Sequence, residues 1–560
     1  MKQADELTVL IIGGYGTFGG RLCDLLADGP RLRLIVAGRS LEKATAFCTR
    51  PSRARLVPAA IDRAANLAAA IAAHAPDIVV DASGPWQVYT GDPYVAVRAA
   101  LAAGADYLDL ADGSAFVAGI GAFDAEARAA GRFVLSGVSS FPVLTAAVTE
   151  AIASDLTRID IVRAGIAPSP FAGVGLNVIR AIASYAGKPV RRLREGRWTA
   201  GVGLVDSIRR TITVPGRIPL PRLRFALVDV PDLVALPLAF PTLREVFTGA
   251  GPAPRPLHAL LRALAWLVHV RILPSLLWLA PLMNWVTNHV RWGEHRGGMF
   301  VEVEGADAAG TPVVRRWHML AEGDSGPLIP SMAIEILVRA CLEGRRPEPG
   351  ARSAVGSVSL GEYEARFRAR GIVSAIVAPA DSAAPIYRQL LGPAYERLAE
   401  PIRDLHEVTA SRTFRGEATV TRGRGVLSQF VARIIGFPPA GERVPVTVTL
   451  TRQDDRELWE RDFAGHRFSS VQRLGYGEDE GLLVERFGPM AFAMAVVVQD
   501  GRLRLVQRRG TAFGIPMPRW MLPKGEAFEH DADGRFNFHV DVVLPIVGPV
   551  VGYRGWLQPA

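Results

Sequence analysis

Apolar and polar positions follow two alternating rhythms along the first 140 residues. Residues 9–12, Val-Leu-Ile-Ile, form a short apolar run suited to one buried parallel strand. Residues 21–26 then resume with helical spacing at Leu22, Leu25 and Leu26. The exchange repeats. Strands are predicted over 33–37, 55–59, 77–82, 106–110 and 133–136, and helices from residue 41 and over 64–73, 92–103 and 122–130. Gly104 and Gly131 close the last two helices. Six strands with intervening helices predict a doubly wound parallel sheet of the Rossmann kind over residues 1–140.

The rhythm changes after residue 140. A helix over 145–154, a strand over 158–166, antiparallel strands over 298–304 and 313–321 and a helix over 331–342 predict an α+β substrate domain at 141–355. Within it, residues 257–290 are dense in Leu, Trp, Ala and Val, with prolines at 274 and 281. The uncharged run 272–288 is shorter than the roughly 20 residues a membrane span needs, so a pair of short helices forming an apolar flap is expected. A buried helical pair or a homodimer contact is the competing reading. Lipid contact is another, because Trp266, Trp278, Trp285 and Trp292 lie among arginines. Pro347, Pro349 and Gly350 mark the end of this part. In residues 384–560, a helix over 386–398 precedes alternating segments at 444–450, 503–507 and 536–542. Hairpin turns are signalled at Asp500-Gly501 and Asp533-Gly534. A mainly antiparallel, barrel-like sheet is expected, with a packed core rather than a cavity for a small apolar ligand.

Chemistry enters at the first turn. Gly14-x-Gly16-x-x-Gly19 sits between a predicted strand and a predicted helix, the setting in which such glycines hold a dinucleotide. The first permits the tight turn, the second lets backbone approach a pyrophosphate, and the third lets the helix pack on the strand. About 20 residues on, where an NAD protein carries an acid for the ribose hydroxyl, this chain has Gly38-Arg39-Ser40. A guanidinium pairs with a 2′-phosphate that a carboxylate would repel, so NADP is expected over NAD. In the competing reading Arg39 is merely exposed and Ser40 only caps the next helix. Ligands of such sheets bind beyond the carboxyl ends of the strands, which brings 83–85, 109–112 and 137–141 to one crevice. Asp109, Asp112, Ser139, Ser140 and Tyr89 are therefore candidate proton donors or acceptors, with His295 from the second domain. Each also has a structural role open to it: the aspartates can brace loops, and Ser139 can cap a helix. Nothing suggests a metal site, a serine-hydrolase elbow or a P-loop.

The segments 9–19, 37–40 (Ala-Gly-Arg-Ser), 81–85 (Asp-Ala-Ser-Gly-Pro), 103–112 and 136–142 (Ser-Gly-Val-Ser-Ser-Phe-Pro) resemble the saccharopine dehydrogenase/reductase-like family. The similarity covers residues 7–150 well and thins toward 355. It implies NAD(P)-dependent hydride transfer, with Gly13, Gly14, Gly16, Thr17, Phe18 and Gly19 on the pyrophosphate. Gly38, Arg39 and Ser40 would lie at the adenosine phosphate, Asp62 near the adenine, and Ala82, Ser83, Gly84 and Pro85 near the nicotinamide-side ribose. It also implies that the helix at 331–342 returns to the Rossmann domain. Residues 384–557, with Leu391-Gly-Pro, 483–489 and 553–557, resemble an uncharacterised domain (DUF4166-like) often fused to such reductases, which supplies no chemistry.

Composition narrows the classes further. The net charge of +9 is carried almost wholly by arginines scattered among alanines, with lysine only at 2, 43, 188 and 524. No basic stripe with interleaved aromatics forms, so nucleic acid is not an expected partner. Three widely spaced cysteines give no disulfide framework or zinc knuckle, and residues 2–6 begin no signal peptide, so a cytoplasmic, reducing setting is expected. The expected function is an NADP-dependent oxidoreductase acting on an apolar or lipid-like substrate, with peripheral membrane contact. The alternative is a non-catalytic, nucleotide-sensing scaffold that binds lipid or protein.

Overall fold

In a computed structural model the described residues are 6–65, 67–87, 91–252, 254–323, 325–377 and 381–560. The chain divides into two compact units. Met1–Arg209 and Leu223–Ile376 make the first, Arg210–Arg222 and Val377–Ala560 the second.

The first unit begins with the expected alternation: β1 (Leu7–Ile12), α1 (Thr17–Leu26), β2 (Leu32–Gly38), α2 (Leu41–Cys48), β3 (Arg55–Ala60), α3 (Leu67–His74), β4 (Ile78–Asp81), α4 (Val95–Ala102), β5 (Asp106–Asp109), α5 (Ser114–Gly119), α6 (Asp124–Ala129) and β6 (Phe133–Ser136). β1 and β4 are buried along nearly their whole length, so they read as unbroken apolar runs rather than alternating ones. α4 starts three residues later than its pattern suggests, because the Asp92 carboxylate accepts the Tyr94 N–H and holds a turn there. The sheet has seven strands, not six. Gly350–Ser353 adds beside β6, giving the order Gly350–Ser353, β6, β5, β4, β1, β2, β3, all parallel. The prolines and glycine at 347–350 thus lead into an edge strand instead of ending this part of the chain. The four-residue run is too short to show a period.

After α7 (Thr145–Ile152) and β7 (Arg158–Ala167), a second seven-stranded sheet forms. Its order is Ser207–Ile212, Leu220–Leu227, Glu245–Ala250, β7, Arg296–Ala306, Pro312–Glu322, Val373–Val377. The predicted hairpin pairs Arg296–Ala306 with Pro312–Glu322 in antiparallel register over its full length. The helix Ile329–Leu342 returns to the first sheet and packs on α1, where Ser331 Oγ donates to the Phe18 carbonyl at 3.1 Å.

The apolar insert forms two short helices, Arg255–His269 and Ala280–His289. It is not a buried pair. Val268 and Leu276 face inward, whereas Leu260, Trp266, Ile272, Trp278, Leu282 and Trp285 are exposed, Trp278 by 65%. Polar ties anchor it: Arg262 donates to the Leu204 and Val205 carbonyls, and Asn284 and Asn288 both donate to the Val174 carbonyl.

In the second unit ten antiparallel strands close on themselves, from Ser411–Arg422 round to Gly548–Pro559. Asp500-Gly501 and Asp533-Gly534 make the expected hairpin turns, with positive φ at all four residues. The helix expected over 386–398 is α-helical only at Ile386–Leu391, then tightens to a 3₁₀ helix at Gly392–Arg397, where Pro393 cannot continue the α ladder. A further helix, Val426–Ile435, lies where only strands were expected. The barrel is not packed solid: it encloses a cavity of about 710 Å³. About eight strands is the girth that side chains just fill, and ten exceed it.

Asp232 opens the helix Asp232–Ala239 fully buried, with the Thr145 hydroxyl close to its carboxylate. Burial pushes its pKa up to about 7. The folded state therefore binds this proton more tightly than the unfolded chain, whose carboxyl titrates near ~4. The resulting stability is present below about pH 4 and is lost as pH rises through about 7. Asp232→Asn should stabilise the protein at pH 8, by about 1–3 kcal/mol, and much less at pH 5. Equal shifts in melting temperature at both pH values would contradict this.

Candidate functional site

The glycine loop joins β1 to α1 and is tied to β2 by the Gly13 and Gly14 N–H groups, which both donate to the Ala37 carbonyl. Each glycine answers a different constraint. Gly13 has φ +79°, and a Cβ there would meet the Ala82 carbonyl oxygen at 2.9 Å. A Cβ on Gly14 would press on Ile11 O and Val36, and one on Gly19 would run into the Gly13 carbonyl. Gly16 alone faces open space, its Cβ position meeting nothing but the Gly13 carbonyl at 3.0 Å. Gly16 is also the N-cap of α1, whose first turn has no side-chain cap and no acid. The leading N–H groups, at Thr17 and Phe18 among others, thus lack a capping side chain, an arrangement suited to a pyrophosphate.

Gly38, Arg39 and Ser40 lie beside this cradle. The Tyr15 ring covers Gly38, and its hydroxyl accepts the Ser40 N–H at 2.9 Å. Ser40 Oγ caps α2 by accepting the Lys43 N–H, so the capping role weighed for it is real. Arg39 is exposed and forms no ion pair with a described residue. That leaves its guanidinium available to an anion. Asp62 lies beyond β3 and accepts the Ala64 N–H.

On the other side, Ala82–Pro85 follow β4. The buried Asp81 carboxylate accepts from Arg63, at 2.7 Å, and from the Ser83 N–H and hydroxyl. The second sheet's domain reaches over this loop with α8 (Leu176–Tyr185). Asn177 Nδ2 donates to the Ser83 and Gly84 carbonyls, and Gly175 abuts Thr17. Arg21 of α1 donates to the Ala172 carbonyl at 2.6 Å. One short segment, 172–177, therefore covers both the glycine loop and the 83–85 turn.

The candidate catalytic groups separate in the structure. Asp109 is fully buried and braces the backbone: its Oδ1 accepts the Ala111 and Gly137 N–H groups and the Ser136 hydroxyl. It is a structural residue, and burial holds its pKa up at about 7. Ser139 and Ser140 lie in the turn before α7. Ser139 does not cap it with its side chain, and Ser140 is buried. His295 is exposed at the start of Arg296–Ala306, its ring 4.7 Å from that of Phe171. Tyr89 lies outside the described residues. Asp112 stands differently. It is half-buried, accepts from Gln87 Nε2 at 3.1 Å, and has its pKa raised to about 6 by burial, with Asp229 adding repulsion.

Asp229, whose own pKa burial raises, accepts the Ser114 hydroxyl, and the buried Tyr185 is near enough to feel both carboxylates. Sequence reasoning missed Arg63, Asn177, Tyr185 and Asp229. Only Asp229 left a trace: Val228-Asp229-Val230-Pro231-Asp232 places two acids in an apolar run just before a helix.

Residues 9–135 match the saccharopine dehydrogenase NADP binding domain, and residues 398–557 match a domain of unknown function, DUF4166. No curated protein matches the chain. Among solved structures, one similar chain is apo saccharopine dehydrogenase (L-Glu forming) from Saccharomyces cerevisiae. It is 14% identical, with a TM-score of 0.47 over 66% of this chain and 100% of that one. A meso-dapdh mutant from Clostridium tetani E88 is 13% identical, with a TM-score of 0.32 over 65% and 99%. The WlbA dehydrogenase from Thermus thermophilus, in complex with NAD and UDP-GlcNAcA, is 11% identical, with a TM-score of 0.28 over 61% and 90%. The chain is thus similar to the saccharopine dehydrogenase NADP binding domain over residues 9–135 and to DUF4166 over residues 398–557.

Proposed function

We propose that the chain is an NADP-dependent oxidoreductase acting on an apolar or lipid-like substrate. One observation carries this reading: the uncapped α1 N-terminus, open at Gly16, lies beside Arg39, which is exposed and forms no ion pair with a described residue. The match of residues 9–135 to an NADP-binding domain supports it. In this reading the backbone of 13–19 holds the pyrophosphate, and Arg39 with Ser40 holds the 2′-phosphate. Asp62 borders the adenosine side and Ala82–Pro85, clamped by Asn177, border the nicotinamide-side ribose. Bound there, the cofactor supplies or accepts the hydride.

The chain's own task is then the proton. Asp112 is the holder in this reading: it follows β5 at the carboxyl end of the sheet and keeps some exposure. Burial raises its pKa to about 6, where a carboxyl both keeps and releases a proton close to neutral pH. Gln87 orients its Oδ1, and Asp229 adds a smaller repulsion to the effect of burial. The exposed flap suits an apolar substrate. Trp266, Trp278 and Trp285 are exposed in a segment that also carries the exposed Arg271 and Arg291, a mixture that favours the headgroup boundary of an anionic membrane, where rings keep their polar edges wet.

Calorimetry should show NADPH binding at least about tenfold more tightly than NADH, a difference of ~1.4 kcal/mol. Arg39→Asp should invert that preference, and Gly16→Val should abolish both without lowering the melting temperature. Equal affinity of the wild type for the two cofactors would remove Arg39 from the argument.

Turnover is read as loss of NADPH absorbance with a lipid extract. The rate should titrate near pH 6, and Asp112→Asn should remove that inflexion. NADPH binding without any extract-dependent oxidation would favour the nucleotide-sensing scaffold instead.

For the flap, Trp266, Trp278 and Trp285 changed together to Ser should stop the protein sedimenting with vesicles containing phosphatidylglycerol, at unchanged melting temperature. A wild type that never sediments with them sinks the membrane route.

A further inference from the structure

We propose that the C-terminal barrel is a binding site for a single long hydrocarbon chain, of the acyl or prenyl kind, loaded at its open end from an anionic lipid surface. The inference rests on the second unit alone and is independent of the dinucleotide reading.

The interior comes first. The cavity of about 710 Å³ falls within the ~300–1,000 Å³ typical of small-molecule sites. Its walls are apolar, with Val448, Phe492, Met494, Leu505, Phe536 and Phe538 among the lining residues. The polar groups that do line it are largely satisfied by one another. Arg461 donates to Ser470 Oγ at 2.8 Å and to Glu485 at 3.2 Å, and Ser470 Oγ donates to Glu485 at 2.6 Å. The Tyr387 hydroxyl donates to Gln472, and Glu529 is bonded to His406. With Arg461 already paired, the other cations that line the cavity, Arg467 and Lys524, stand at its mouth rather than deep inside it. The interior thus favours a neutral chain.

The two ends of the barrel differ. Strand direction puts the segment 386–406 at one end, together with the hairpin tips at 454–455, 500–501 and 533–534. Those tips carry Asp454, Asp455, Asp500 and Asp533. The opposite end holds the helix Val426–Ile435 and the tips at 464–465, 488–489, 513–514 and 545–547. There Val431, Ile434 and Ile435 of the helix, with Phe513 and Lys524, line the cavity, so this end is its mouth. Around that mouth, large apolar side chains face solvent: Val426, Phe430, Ile434, Phe513, Trp520 and Ile546, Phe513 by 82% and Ile546 by 89%.

Exposed cations accompany them at Arg424, Arg433, Arg467 and Lys524. Arg467 is paired with Asp462, and Arg424, Arg433 and Lys524 stand among the exposed apolar side chains, a mixture that seats the mouth on an anionic lipid surface. The helix is lightly fastened for a lid. Ser428 Oγ donates to the Pro549 carbonyl, and Gly436 ends the helix in a left-handed turn with φ +83°.

The test uses the full chain, stripped of lipid, and 11-(dansylamino)undecanoic acid as the probe. The probe should bind with one-to-one saturation and a blue-shifted emission, and hexadecanol should displace it. Met494→Trp, which fills the cavity, should weaken binding at least tenfold at an unchanged melting temperature. Val448→Phe, a smaller addition to the same lining, takes its place if that variant does not fold. The double variant Val426→Asp, Phe430→Asp alters exposed lid positions that do not line the cavity. It should leave binding from solution intact while slowing uptake from phosphatidylcholine vesicles containing phosphatidylglycerol at least tenfold. Uptake from vesicles without phosphatidylglycerol should be slow for the wild type. Absence of saturable binding, or a well-folded Met494→Trp protein that binds like wild type, overturns the cavity site. A lid variant that loads from anionic vesicles at the wild-type rate overturns loading through the mouth. NADPH affinity measured on the same samples reports the dinucleotide reading separately.

Discussion

The seat of α1 on the first glycine turn governs much of the first unit. Only a residue without a side chain fits at position 19, because a Cβ there would run into the Gly13 carbonyl. That contact lets α1 begin directly beyond β1, with its uncapped N–H groups at the rim of the sheet. Other parts of the unit take α1 as their reference. Ser331 of the returning helix donates to the Phe18 carbonyl, and Arg339 of the same helix reaches the Leu25 carbonyl. Arg21 holds the 172–173 carbonyls, and Gly175 lies against Thr17. A helix displaced by one methyl group would disturb the packing of both sheets' domains.

Beyond the cradle, burial sorts carboxylates into different roles. Asp81 is fully buried but met by Arg63 and two donors from Ser83, so it fixes the shape of the 83–85 turn. Asp109 is fully buried and met by backbone N–H groups, so it ties the end of β5 to the turn after β6. Asp112 is half-buried, accepts from Gln87 and lies near the Asp229 carboxylate, and burial raises its pKa to about 6. The same residue type thus shapes a turn at 81, ties two strand ends at 109 and lies beside a second carboxylate at 112, according to the neighbours that reach it.

The barrel shows the opposite economy. Ten strands set a circumference that the inward residues do not fill, so the apolar faces that would make a core instead make a wall. Several of its polar residues pair along that wall, as Arg461 does with Ser470 and Glu485. The apolar positions left over appear outside, on the helix Val426–Ile435 and the loops beside it.

How much of this was legible follows from the range of each interaction. The alternation of apolar runs with glycine-closed helices determined the parallel sheet, because each such element is specified by its own dozen residues. The spacing of Gly14, Gly16 and Gly19 and the arginine at 39 determined the cradle, since turn geometry and charge at a strand end are local properties. The turns Asp500-Gly501 and Asp533-Gly534 were legible for the same reason. Edge strand Gly350–Ser353 was not, being four residues with no period, recruited only because β6 presented an unpaired edge. Val426–Ile435 does carry helical spacing, yet it sits in a strand-rich region, and only the closed barrel shows that it lies over a mouth. The partition among Asp109, Asp112 and Asp229, the clamp by Asn177 and the cavity itself belong to tertiary structure alone. Each depends on groups far apart in the chain, and a sequence fixes which donors a carboxylate has only once the fold has chosen its neighbours.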